Sequence, residues 1–469
     1  MRVLKDLSPE RVFRFFEDIC SIPHGSGNTK AISDYCVSFA KARGLWYYQD
    51  KLNNVIIKKP ATDGYENHGA IVLQGHLDMV CEKNADIDFD FSKGALNLKV
   101  DGDFVSATGT TLGGDDGIAV AMALSILDDN SLKHPPLEAV FTTDEETGMY
   151  GAQGIDTSLI TAKRFINIDS ENEGVFTVGC AGGARVDIRL KTEQIKLQKN
   201  AYRVSVSGLK GGHSGTEINK GRLNANKVLG LFLKSLDGVL ISSISGGNKD
   251  NAIPVNAECV ICTNSEVFSL AERFVIENRA DSDNGLKIQI TPVTCDTFFT
   301  ADCSKRIIDL LCELPCGVQS MSGDIDGLVE TSLNIGIMKS YADVFSLSLS
   351  VRSSKSSEKL RLIDKLMCIA ENFGADFDTY GDYPAWEYRK NSNLRDTMAS
   401  VYKDMYCKTP QIEIIHAGLE CGLFSEKIAD IDAVSIGPDM FDIHTPRERL
   451  SVSSVGRTYK FLCRVLEEL

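Results

Sequence analysis

The sequence has no long apolar run. No uninterrupted stretch approaches the ~20 residues needed to span a bilayer, so a membrane-spanning protein is not expected. The opening residues, Met1-Arg2-Val3-Leu4-Lys5-Asp6, lack the apolar core of a secretion signal. An excess of positive charge is missing too: 50 Lys and Arg stand against 65 Asp and Glu, a formal net charge of −15. This disfavours a nucleic-acid backbone or an anionic membrane as the main partner. The 14 cysteines are scattered, without the compact framework of a disulfide-stapled domain, so free thiols in a reducing cytoplasm are expected. One Cys-x-x-Cys, Cys259-Val260-Ile261-Cys262, has no second Cys or His pair at zinc-ribbon spacing and reads as strand packing. There is no low-complexity segment and no long linker.

What remains is an ordinary globular composition, 43% hydrophobic and 25% charged, over 469 residues, enough for two or three domains. Residues 8–44 read as two helices flanking the loop Ser21-Ile22-Pro23-His24-Gly25-Ser26-Gly27. Ile118 to Leu127 is apolar nearly all round, hence a buried helix. Strands alternate with helices to about residue 186, which implies a mainly parallel sheet with helices on both faces. From Asp187 to about Tyr383 the strands alternate with period two, as in a one-sided antiparallel sheet; Phe345-Ser346-Leu347-Ser348-Leu349-Ser350-Val351 is the clearest case. Helices over Arg222–Leu236, Ser304–Leu314 and Ser357–Phe373 give the expected order β-α-β-β-α-β, twice over, without a strong sequence repeat. After Pro384-Ala385-Trp386 the α/β character returns. The expected architecture is an α/β catalytic domain from 1–186 plus 384–469, with an inserted α+β domain, 187–383, tethered at two points like a hinged lid.

The chemistry gathers at strand ends. The apolar run Ala70-Ile71-Val72-Leu73 leads into Gly75-His76-Leu77-Asp78, whose His and Asp, two residues apart, point the same way. Leu137 to Thr143 runs into Asp144-Glu145-Glu146, and Phe165 to Ile168 into Asp169. A glycine turn, Gly113-Gly114-Asp115-Asp116-Gly117, precedes the buried helix, and Asp442-Ile443-His444 follows the last strand pattern. Ligands of open α/β sheets collect beyond the carboxyl ends of the strands. Each residue alone has a plain alternative. A single His beside a strand is usually just hydrogen-bonded, Glu145-Glu146 alone is a solvated turn, and acids are favoured at a helix N-terminus anyway. Their recurrence at successive strand ends points to a divalent metal site, with His76, Asp115, Glu146, Asp169 and His444 as candidates. Imidazole and carboxylate suit zinc, and also manganese or cobalt.

Eight ordered motifs then carry a resemblance: Gly-His-Leu-Asp-Met-Val (75–80), Gly-Thr-Thr-Leu-Gly-Gly-Asp-Asp-Gly (109–117), Thr-Asp-Glu-Glu-Thr-Gly (143–148), Asn-Ile-Asp-Ser-Glu (167–171), Gly-Leu-Lys-Gly-Gly-His-Ser-Gly (208–215), Asn-Ala-Ile-Pro (251–254), Ser-Val-Arg-Ser-Ser (350–354) and His-Ala-Gly-Leu-Glu-Cys-Gly (416–422). Over essentially its whole length the chain resembles the dinuclear-zinc metallopeptidases that include peptidase T, carboxypeptidase G and the aminoacylases. The motif at 416–422 and the long insert favour the dipeptidase branch. Gly114 is one small departure, since relatives often carry Ala there.

The resemblance implies two divalent ions, with Asp115 bridging them, His76 and Asp169 completing one site, and Glu146 and His444 the other. It implies that Asp78 holds His76, that Glu145 is the general base, and that the Asp115–Asp116 peptide is cis. Spacing alone does not separate Glu145 from Glu146. His213 is implied as the donor to the tetrahedral oxyanion, with Asn251 and Arg352 as further lid residues. Arg352 ends the alternating strand, where its guanidinium can fork to a free C-terminal carboxylate, and Glu420 is a candidate for the free amine. The implied reaction is hydrolysis of dipeptides, Xaa-His dipeptides such as β-alanyl-histidine among them. Hydrolysis of N-acyl amino acids is the alternative activity, and non-catalytic peptide binding the alternative class. A homodimer is the expected assembly.

Overall fold

Ile71, Val72 and Leu73 are fully buried, and their run forms the strand Ile71–His76 at the centre of an eight-stranded sheet. The computed structural model describes residues 2–323, 325 and 327–469. The chain divides into two compact units, one of Met1–Gly179, Tyr388–Ile414 and Leu419–Leu469, the other of Cys180–Glu387 and Ile415–Gly418. The first is therefore built from both chain ends. The boundaries expected at 186 and 384 fall at 179 and 387, and Ile415–Gly418, expected in the first unit, groups with the second.

In the first unit the strands Leu137–Thr142, Ile71–His76, Arg164–Asn167 and Asp432–Ser435 run parallel in that order. Antiparallel strands flank this core, Val55–Lys59 on one side and Val175–Cys180 on the other. The parallel strands are buried from end to end, which is why they read as continuous apolar runs. The helix Gly114–Asp128 is buried along nearly its whole length, as its all-round apolar sequence requires. Glu10–Cys20 contributes Val12, Phe13, Phe16 and Ile19 to the same core, and the last helix, Val452–Glu468, adds Val455, Phe461, Leu462, Val465 and Leu466. Gly75 is required where strand and buried helix meet: a Cβ there would come 2.5 Å from Asp116 Oδ2 and 2.8 Å from Ala119 Cβ. A small four-stranded sheet, in the order Met440–Phe441, Arg449–Ser451, Phe104–Ala107 and Leu98–Asp101, anchors the loop that carries His444.

The second unit is a nine-stranded antiparallel sheet. One half holds Lys287–Phe299, Gln194–Ser207, Ala257–Cys262 and Leu240–Gly246; the other holds Val329–Ser340, Val344–Ser353, Gly182–Lys191 and Asp376–Tyr383, with Gly317–Met321 beside Val329–Ser340. The first half follows the β-α-β-β-α-β order. The second takes its strand Gly182–Lys191 from ahead of the first half, which hides the repeat in the sequence. Phe345, Leu347, Leu349 and Val351 are fully buried in a core shared with Phe232, Leu311 and Leu366 of the covering helices. The helix Val267–Glu277 was not anticipated: Val267, Leu270, Ala271, Phe274 and Val275 pack on the core, while Phe268 and Ile276 face solvent and blur the apolar stripe. Cys259 and Cys262 lie on one strand but in separate apolar clusters, in keeping with packing rather than chelation.

Replacing Leu347 by Ala removes a fully buried side chain from this core and costs about 2–5 kcal/mol. Ser346→Ala, on the opposite face of the same strand, changes stability by about 0.5 kcal/mol or less. Denaturant unfolding of the whole chain measures both; equal shifts would contradict the one-sided sheet.

Candidate metal centre

His76 is the last residue of its strand and is 1% exposed. Its Nδ1 lies 2.9 Å from the backbone oxygen of Asp78 and 3.5 Å from Asp78 Oδ1, which fixes the ring and leaves Nε2 free to face inward. Nε2 lies 3.0 Å from Asp115 Oδ1 and 3.7 Å from Asp169 Oδ1. The other oxygen of Asp115, Oδ2, is 3.0 Å from His444 Nε2, and that nitrogen is also 3.0 Å from Glu146 Oε1. One carboxylate thus stands between two imidazoles that come from strand ends and loops far apart in the sequence. The Asp115–Asp116 peptide is cis.

Asp78 does more than hold His76. Its Oδ1 accepts from the backbone N–H of Glu145 at 3.0 Å, and Oδ2 accepts from the Glu146 N–H at 3.3 Å and from Ser26 Oγ at 2.8 Å. This carboxylate sets the Glu145-Glu146 turn relative to His76. Asp144 and His444 both sit in the left-handed region, with φ of 55° and 59°. Such non-glycine conformations cost of order 1–3 kcal/mol and persist where the surroundings enforce them, commonly at functional sites.

Burial and mutual proximity set the charge of this cluster. Burial pushes the Glu145 carboxyl up to about 8, with Glu420, Glu146 and Asp115 adding to the shift against the opposing pull of His76. Burial also raises Asp169, and Asp116 and Asp115 reinforce it. Burial opposes charge on Asp115, but hydrogen bonds to His444 and His76 outweigh it and hold the carboxyl well below its usual range. His444 is pulled up to about 10 by its hydrogen bonds to Asp115 and Glu146. Carboxylates crowded in a buried space, with protons forced onto some of them and onto the imidazoles, call for compensating positive charge. Three groups have ligand atoms all within 4.8 Å of one another: His76, Asp116 and Asp169; His76, Glu145 and Glu146; and Asp115, Glu146 and His444. The donor set, imidazole nitrogen with carboxylate oxygen, fits a borderline divalent cation.

Glu420, the first residue of the helix Glu420–Lys427, is fully buried in the same unit. Its Oε2 accepts from Gln74 Nε2 and Thr142 Oγ1, each at 2.6 Å, while Oε1 has no partner. His213, Asn251 and Arg352 lie in the second unit. The short strand Gly212–His213 pairs with Ala252–Ile253, and the Ser214 N–H donates to the Asn251 oxygen at 2.9 Å. His213 Nδ1 accepts from the backbone N–H groups of Gly215 and Thr216 at 3.3 and 3.2 Å, which places the proton on Nε2. Burial and the nearby Arg352 both lower the pKa of His213, so the ring is neutral and a hydrogen-bond donor at Nε2.

Arg352 stands opposite Ser332 in the antiparallel pairing. Its Nη1 donates to Tyr383 Oη at 3.1 Å, and its buried Nε has no partner among the described residues. Ser332 Oγ lies 2.8 Å from His416 Nε2, which brings an imidazole alongside the guanidinium. Sequence reasoning gave no role to Ser26, Asp116, Ser332, Tyr383 or His416. Asp116 and His416 lay inside quoted motifs, and that was their only signal.

Known proteins resemble the chain over its whole length. The cytosol non-specific dipeptidase of Escherichia coli strain K12 is 38% identical over 483 aligned positions, covering 100% of this chain and 99% of that protein. The crystal structure of an aminoacylhistidine dipeptidase from Vibrio alginolyticus superposes with a TM-score of 0.93 at 35% identity, covering 99% of this chain and 98% of the other. An aminopeptidase, PepT, from Bacillus cereus shares the fold alone, with a TM-score of 0.58 at 16% identity over 98% and 99% of the two chains. The model of peptidase family M20/M25/M40 matches residues 72–468, and the chain belongs to that family.

Proposed function

We propose that this protein hydrolyses the peptide bond of dipeptides at a pair of divalent ions, zinc foremost, and that Xaa-His dipeptides such as β-alanyl-histidine are among its substrates. The observation that carries the proposal is Asp115 with one imidazole 3.0 Å from each oxygen. Full-length likeness to a non-specific dipeptidase and to an aminoacylhistidine dipeptidase supports the substrate class. His76, Asp115 and Asp169 would hold one ion, and Asp115, Glu146 and His444 the other. When bound, such ions polarise a scissile carbonyl and acidify water toward neutral pH.

The remaining chemistry belongs to the side chains. Glu145 takes a proton from the attacking water at its carboxylate and delivers it to the departing amine nitrogen. Asp78 holds both the His76 ring and the Glu145 N–H, so the base and a ligand share one support. The second unit serves as the lid domain, and its His213, Asn251 and Arg352 recognise substrate. His213 donates its Nε2–H to the developing oxyanion, a role that suits a neutral ring whose other nitrogen is already bonded. Arg352, whose Nε is unpartnered, forks to the C-terminal carboxylate, and Asn251, beside His213, contacts the peptide. Glu420 offers its unpartnered Oε1 to the substrate ammonium. Recognition of both chain ends restricts the site to short peptides.

Glu145→Gln keeps both ions and loses about 10²–10⁴ in rate; elemental analysis and dipeptide turnover measure the two, and near-normal turnover would remove Glu145 from the role of base. Arg352→Ala impairs free dipeptides far more than their C-terminally amidated analogues. Comparing kcat/KM for the two series checks this, and equal losses would contradict the carboxylate fork.

A further inference from the structure

Glu448 lies four residues beyond His444, is 3% exposed, and belongs to none of the motifs. Its carboxylate is fully engaged. Oε2 accepts from the backbone N–H groups of Leu112 at 2.7 Å and Gly113 at 3.2 Å; Oε1 accepts from those of Gly114 at 2.8 Å and Asp115 at 3.4 Å. Four successive amides therefore converge on one side chain, an anion nest that the left-handed Gly113, at φ 68°, makes possible. The turn that closes on Glu448 is the one that presents Asp115. Glu448 also closes the loop that presents His444, through its own N–H bond to Thr445 O at 3.0 Å and its place just before the strand Arg449–Ser451. One side chain ties together two ligand-bearing loops more than 330 residues apart in sequence, and those loops meet where His444 Nε2 lies 3.0 Å from Asp115 Oδ2.

From this geometry we infer that Glu448 is a positioning residue for the ion site formed by Asp115, Glu146 and His444. The inference rests on the metal reading proposed above. A neutral amide in place of the carboxylate turns one acceptor into an NH₂ group facing two backbone donors, so the Asp115 turn can no longer be held in the same place. A shorter acid keeps the charge but withdraws it from the four amides. Partners of this kind, one step behind the ligands, typically contribute 10–100-fold to metal affinity.

Calorimetric titration of zinc into the chelator-treated full chain tests the role, with Glu448→Gln and Glu448→Asp beside the parent. Because Asp115 serves both ions, both binding events are expected to weaken in Glu448→Gln, the one that also uses His444 by the larger factor of about 10–100-fold, and both to a smaller extent in Glu448→Asp. Thr300→Ala is the structural control: Thr300 caps the helix Ala301–Glu313 of the second unit by accepting from Cys303 N, so its loss lowers the melting temperature and leaves both zinc affinities unchanged. Should Glu448→Gln not fold, Glu448→Asp decides. Two events of parental affinity in a folded Glu448 variant would overturn the positioning role and leave the metal reading standing. A parent chain that takes up no zinc would overturn both.

Discussion

The carboxylate of Asp115 is the constraint on which the site depends. It is buried, it stands between two imidazoles, and its neighbours are mostly other carboxylates. An anion in that position is stable only if positive charge faces both oxygens. Burial works against charge on His76, but hydrogen bonds to Asp115 and Asp78 outweigh it and raise its pKa, and hydrogen bonds to Asp115 and Glu146 raise that of His444. The donor set is suited to divalent cations, because Nε2 of His76 and of His444 each face an oxygen of Asp115. Buried, unbalanced acidity of this kind would be a liability in a purely structural core. Here it is concentrated at the carboxyl ends of the parallel strands, the position where open α/β sheets bind ligands.

The fold supplies this convergence through parallel register. Ile71–His76 and Leu137–Thr142 pair so that His76 lies opposite Thr142, and the acidic turn begins just beyond. Arg164–Asn167 delivers Asp169 from the neighbouring strand. The buried helix behind the sheet presents Asp115 at its start, and Gly75 lets that helix end approach the strand closely. His444 arrives from the C-terminal portion of the chain on a loop fixed by the small antiparallel sheet. Asp78 and Glu448 are the two carboxylates that lock the presenting turns, each by accepting backbone N–H groups.

The candidate ligands stood out in the sequence because most of them sit directly after apolar runs that read as buried strands. The bipartite first unit was visible as α/β character that stops and later returns, and the second as the serine–apolar alternation at 345–351. Other features were hidden for identifiable reasons. Separating Glu145 from Glu146 needs the turn geometry, since both follow the same strand, and that assignment was carried by resemblance alone. Glu448 has no sequence signal because its partners are backbone amides, which any residues supply. The pairing of Ser332 with Arg352, and through it the approach of His416, depends on strand register that local periodicity cannot specify. The helix Val267–Glu277 escaped notice because Phe268 and Ile276 face solvent and break the contrast between its apolar and polar sides.

The most direct test of the account is dipeptide turnover measured together with bound metal, before and after exhaustive chelation and again after stepwise zinc or manganese addition. The account predicts that the stripped protein remains folded, is inactive, and regains turnover as two ions per chain are restored. Full turnover by a folded chain shown to be free of metal would contradict it.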